Sequence, residues 1–186
     1  MAKFFGNLNA VLVAGVVLML AVIFGAAGGY NGTQLLRWAH VISGIMWIGH
    51  LYYFNFTQMT AMPKIPAELK PGVSKFIAPE ALFWFRWGAA ATVATGLAVA
   101  ILAGYAHQAF TLQEPYRLIG IGMWLALIMA FNVWFVIWPA QQKALGLVEA
   151  DDATKAASAT RAMMFSRTNT LLSIAMLYCM IAANHG

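Results

Sequence analysis

The sequence predicts an all-α fold: a single integral membrane bundle over 1–186, with five transmembrane helices, the N-terminus inside and the C-terminus outside. Three observations lead there. Apolar residues make up 62% of the chain and charged residues only 9%, against roughly 25% charged in a soluble domain. Apolar runs of the roughly 20 residues needed to cross hydrocarbon recur at 10–28, 34–56, 81–105, 117–139 and 163–183. Lysine and arginine concentrate in the second-to-third and fourth-to-fifth connections, which places those loops and Lys3 on the cytoplasmic side. The net charge of +5 therefore reads as membrane orientation and not as a nucleic-acid signal.

The first run, Ala10 to Ala27, follows one charge, Lys3, and ends in Gly25-Ala-Ala-Gly-Gly29. A signal peptide shares that pattern, but the run is long for one, and a retained span is expected. Gly28 to Gly32 reads as a tight turn, with Thr33 as the expected N-cap of the second span. Met59 to Glu80 carries Pro63, Pro66, Pro71 and Pro79, so a loop is expected there, with Pro79 starting the third span. Phe83-Trp-Phe-Arg-Trp87 has the composition of an aromatic interface belt. The fourth span closes at Pro139, and a polar connection over 141–160, with room for a short surface helix, leads to the fifth. The single Cys179 excludes an intramolecular disulfide, a CxxC zinc site and a CxxCH haem attachment; a buried structural thiol is expected.

The second span carries the chemistry. It is apolar enough to cross a bilayer, yet it holds Arg37, His40 and His50, and ionisable groups within a span mark a functional site by default. At about 100° per residue, Arg37, His40, Gly44, Trp47 and Leu51 share one helix face. His50 lies about 15 Å further along the axis. Two imidazoles at two depths, with Gly44 leaving room, suggest a flat metal macrocycle against this helix. No Asp or Glu falls within a span, which argues against a proton-driven transporter and against carboxylate acid–base catalysis in the membrane.

Several strings then stand in order: Arg37-Trp-Ala-His40, Gly44-Ile-Met-Trp47-Ile-Gly49, Tyr53-Phe54, Phe83-Trp-Phe-Arg-Trp87, Asn132-Val-Trp-Phe-Val-Ile-Trp-Pro139, Gln142-Lys143, Ser166-Arg-Thr-Asn-Thr-Leu-Leu-Ser173, Met176 and His185. Over spans two to five they resemble the membrane domain of the bacterial membrane-bound urate oxidase (urate hydroxylase) family. The resemblance implies a helical membrane domain tied to respiratory electron transfer, in a family whose full-length members add further spans and a C-terminal c-type cytochrome domain. Arg37, His40, Asn132, Trp138, Arg167, Asn169 and His185 match the family pattern by position. His50 does not, so its role rests on physics alone.

The expected cofactor is haem b, one or two per chain. The first would be held by His40 and His185, near the outer ends of spans two and five, with Arg37 or Arg117 pairing with propionates. A second would use His50, with Arg86 or Arg167 as propionate partners. Trp47 and Trp138 would flank a macrocycle. The competing readings are a frayed terminal His185 and a His50 bonded to Asn132, Ser173 or a backbone carbonyl. His107 is expected as an exposed loop histidine, with a copper or zinc site of His40, His107 and His185 as a minor alternative. The leading function is a haem b electron-transfer protein or subunit of the bacterial inner membrane. Its expected partners are a c-type cytochrome or quinone, other subunits of a respiratory or photosynthetic complex, and lipid. The alternatives are an oxidase of urate or another small reduced molecule, and a cofactor-free accessory subunit.

Overall fold

The computed structural model describes residues 1–185, with side chains to residue 183. The described residues form helices and no strand. They divide into two units, Met1–Leu35 and Leu36–Gly186.

The first unit holds α1 (Ala2–Phe5) and α2 (Leu8–Gly25). Asn7 caps α2 by accepting the Ala10 N–H at 3.2 Å, which satisfies one of the orphan donors of a helix start. The glycine-rich turn forms as expected, because Gly28 and Gly29 take φ of 74° and 120°, where a Cβ would be strained.

α3 (Gly32–Tyr52) begins the bundle. Its cap is Asn31 and not Thr33: the Asn31 side chain accepts the Gln34 N–H at 3.1 Å, and its carbonyl accepts the Leu35 N–H. The helix runs on through a π-helical segment, Tyr53–Gln58, into α4 (Met59–Ala61). A 3₁₀ turn follows, and Ile65 is extended. The proline-rich stretch is thus less of a loop than expected. Helix resumes at α5 (Lys70–Gly72), passes through a second π segment, Val73–Ile77, and continues as α6 (Ala78–Leu102). Pro71 sits in a first turn, where the missing N–H costs nothing. Pro79 follows the π segment directly, where the hydrogen-bond register has already changed.

Beyond the short α7 (Ala106–Phe110), α8 (Arg117–Phe131) passes through a third π segment, Asn132–Ile137, into α9 (Trp138–Ala144). α10 (Asp152–His185) is a single long helix, so the fifth element starts well before residue 163. Asp151 caps it, accepting the Thr154 N–H at 2.7 Å and the Thr154 hydroxyl at 2.9 Å.

Among the described residues three helices, not five, are long and apolar enough to cross a membrane: Leu8–Gly25, Lys70–Leu102 and Arg117–Ala144. The expectation of five spans failed for α3 and α10 for one physical reason. Polar side chains interrupt both: Gln34, Arg37, His40 and His50 in α3, and Arg161, Arg167, Asn169 and Ser173 in α10. Of these, Asn169 and Ser173 are buried and His40 and His50 are partly buried, while Gln34, Arg37, Arg161 and Arg167 are exposed.

The core of the second unit joins α3, α6, α8 and α10 around Trp47, Leu51, Phe85, Met129, Val133 and Met176. Small residues set the spacing. A Cβ on Gly88 would come within 3.0 Å of the Trp47 backbone nitrogen, and one on Gly120 would run into the Ala109 carbonyl. Cys179 is buried, as expected, with its Cβ against Gly122.

Candidate functional site: an apolar groove beside His40

The face predicted on α3 lines a groove of about 790 Å³ walled by α3, α6, α8 and α10. That volume is within the range of small-molecule and cofactor pockets. Arg37, His40, Gly44 and Trp47 all contribute to it. Its other walls are largely apolar, with thioethers from Met123, Met176 and Met180. Polar groups gather towards the N-terminal end of α3, where Arg37, His40 and Tyr105 line the groove.

His40 is fixed in two ways. Its Nδ1–H donates to the Thr92 carbonyl at 2.9 Å, with the Thr95 hydroxyl oxygen 3.2 Å from the same nitrogen. The Thr92 carbonyl can only accept, so the proton lies on Nδ1, and Nε2 is left with its lone pair. Nε2 makes no hydrogen bond among the described residues. A carbonyl that holds one ring nitrogen in this way orients the other nitrogen of a histidine towards a metal. The ring also lies directly on Gly96: a Cβ there would be 2.8 Å from Cε1 and 3.1 Å from Nδ1. Only glycine allows the imidazole this close to α6.

Trp47 is 0% exposed, and its indole Nε1–H has no hydrogen-bond partner among the described residues. A buried unpaired donor costs about 1–3 kcal/mol. Gly44 leaves the groove open on its side, its nearest neighbour being a Thr92 methyl at 3.9 Å from a built Cβ.

The remaining candidates stand apart from this groove. His50 lies outside its lining; its Nδ1–H donates to the Met46 carbonyl of its own helix at 2.6 Å. Arg86 and Trp138 meet each other: the guanidinium carbon is 3.3 Å from the indole centroid. Asn132 donates to the Asn169 side chain at 2.9 Å, and Asn169 donates to the Met129 carbonyl at 2.9 Å. Arg167 is exposed on α10. Arg117 is exposed and paired with Glu114 at 2.9 Å. His107 is exposed on α7. The His185 side chain lies outside the described residues. Among the described residues no three His, Cys, Asp or Glu side chains gather into a metal-binding group, so one histidine is what this groove offers.

A buried polar strip escaped attention as a unit. Ser166, Asn169 and Ser173 recur on the inner face of α10. Ser166 accepts from the Asn55 amide at 2.8 Å, and Ser173 bonds the Tyr52 hydroxyl at 3.0 Å. Their spacing of three and four residues on one helix face was the available signal. Such polar pairs hold helices together in an apolar setting.

The family described as urate oxidase N-terminal matches residues 98–186. No curated protein matches the chain, and no solved structure does. The match covers the end of α6, α7, α8, α9 and α10, with the Asn132–Asn169 pair inside it, while His40 lies before it. Over residues 98–186, just under half of the chain, the sequence is similar to the urate oxidase N-terminal family.

Proposed function

We propose that this chain is an integral protein of the bacterial inner membrane that binds one haem b in the His40 groove. It would pass electrons from a reduced donor to a c-type cytochrome or quinone, as a subunit of a urate-oxidase-like system. The observation that carries the reading is His40: its Nδ1–H is held by the Thr92 carbonyl, its Nε2 makes no hydrogen bond among the described residues, and it lines an apolar groove of cofactor size. The surroundings fit the group. Gly44 leaves room for a flat ring beside α3, Gly96 admits the His40 imidazole against α6, and Arg37 supplies a cation to pair with carboxylates.

When bound, haem b supplies one-electron redox chemistry. The chain's own residues do the rest. Thr92 and Gly96 hold the His40 imidazole in one tautomer and one plane. The apolar lining from α8 and α10 lowers the local dielectric beside the ring, which strengthens electrostatic contacts there. Met123, Met176 and Met180 place thioethers in the same groove, and His185 is the histidine that would complete the pair expected from the sequence.

The family match favours a second reading, an oxidase of urate or another small reduced molecule, in which the haem would be reduced on addition of that substrate alone. The test of the first reading is a reduced-minus-oxidised optical spectrum of the purified protein and of His40→Ala and His50→Ala. The proposal expects b-type bands in the parent and in His50→Ala, and their loss in a folded His40→Ala. A parent spectrum without a Soret band, or a His40→Ala variant that keeps it, would refute the assignment.

A further inference from the structure

Arg86 sits in the second half of the aromatic sequence Phe83-Trp-Phe-Arg-Trp87, well away from the groove: on α6 it precedes Gly96 by ten residues, about 15 Å along the axis. Its guanidinium carbon lies 3.3 Å from the Trp138 ring centroid and 5.8 Å from that of Trp134. Trp134 in turn meets Trp87 edge to face at 5.3 Å. The Arg86 Nε atom is buried and has no hydrogen-bond partner among the described residues. The ion pairs among the described residues are Arg117–Glu114 and Lys155–Asp152, so no carboxylate neutralises Arg86. Phe83, Trp84 and Trp87 around it are about half exposed.

A half-buried guanidinium with no anion is costly. Stacking on indole offsets part of that cost. It also fixes the plane of the guanidinium, so the donors on its edge are aimed before any ligand arrives. A planar fork held in this way suits a phosphate better than a flexible ammonium does. Exposed tryptophan and phenylalanine beside it are the composition of the headgroup level of a bilayer. We propose that Arg86, stacked on Trp138, is the binding site for the phosphate of an anionic phospholipid headgroup. The site is independent of what occupies the His40 groove.

Native mass spectrometry of the delipidated full chain, titrated with phosphatidylglycerol, tests this. The parent is expected to hold one phosphatidylglycerol about tenfold more tightly than Arg86→Gln, the loss expected for a charge-assisted contact. Arg86→Lys should also lose several-fold, because an ammonium keeps the charge but not the stacked fork. Phosphatidylcholine and inorganic phosphate at equal concentration should not displace the lipid. Should Arg86→Gln fail to fold, the comparison of Arg86→Lys with Trp138→Phe decides, both being expected to weaken binding. Equal affinity in the parent and the folded Arg86 variants would overturn the proposal. Full displacement by inorganic phosphate would overturn the lipid assignment and leave a general anion site.

Discussion

Substituting Gly96 by alanine tests the His40 arrangement without touching the histidine. The new methyl carbon would stand 2.8 Å from His40 Cε1 and 3.1 Å from Nδ1, closer than van der Waals contact allows. The backbone of α6 is packed against α3 at Gly88, where a Cβ would be 3.0 Å from the Trp47 nitrogen, so the ring must yield. When it swings away, the 2.9 Å bond to the Thr92 carbonyl is lost. That bond contributes about 1 kcal/mol net. Alanine recovers up to about 1 kcal/mol of helix propensity over glycine. The two terms nearly cancel, so thermal stability in detergent should change little. Haem affinity should not be spared: with Nδ1–H released, the imidazole loses its orientation and tautomer, and second-shell losses of this kind weaken metal binding about 10–100-fold. The assay is haem titration followed by the Soret band, with Gly15→Ala, which has nothing within 4 Å of its built Cβ, as the control. Unchanged haem affinity in a folded Gly96→Ala would refute the reasoning.

Further outcomes follow from the packing. Gly120→Ala drives a methyl into the Ala109 carbonyl, a backbone atom that cannot rotate away, and should cost about 1–3 kcal/mol, read as a lowered melting temperature. Asn169→Ala leaves the Asn132 amide and the Met129 carbonyl without their partner, a loss of about 1–3 kcal/mol. A double-mutant cycle with Asn132→Ala should show coupling of at least about 0.5 kcal/mol, and strict additivity would mean the pair is not formed. The Thr154 N–H and hydroxyl hold the Asp151 carboxyl below the usual carboxylate pKa. A depressed folded-state value means that its contribution is fully present above the ordinary carboxylate range and is lost as pH falls through the lowered pKa. Parent and Asp151→Ala melting temperatures should therefore differ at neutral pH and converge in acid; a gap that widens in acid would reverse the sign of the argument.

Helical periodicity made the groove face of α3 legible: Arg37, His40, Gly44 and Trp47 do line one cavity. The other wall was hidden, because nothing local links Gly96 or Thr92 to His40 across more than fifty residues. The same distance hid the stacking of Arg86 on Trp138; both had been marked as cofactor residues, yet they meet each other away from the groove. The π segments at 53–58, 73–77 and 132–137 have no simple sequence code, and one of them prepares the helix for Pro79. Asn31 displaced Thr33 as the cap because the helix begins at Gly32, two residues earlier than the polar pattern suggested. Counting spans by apolar length worked for α2, α6 and the α8–α9 helix, and failed for α3 and α10, whose apolar runs are interrupted by polar residues, some buried and some exposed.

The most direct test of the central claim is pyridine haemochrome quantitation on protein purified from membranes, expressed as haem b per chain. The account predicts one haem b per parent chain and close to none in a folded His40→Ala variant. A well-folded parent without haem would contradict it and favour a cofactor-free accessory subunit.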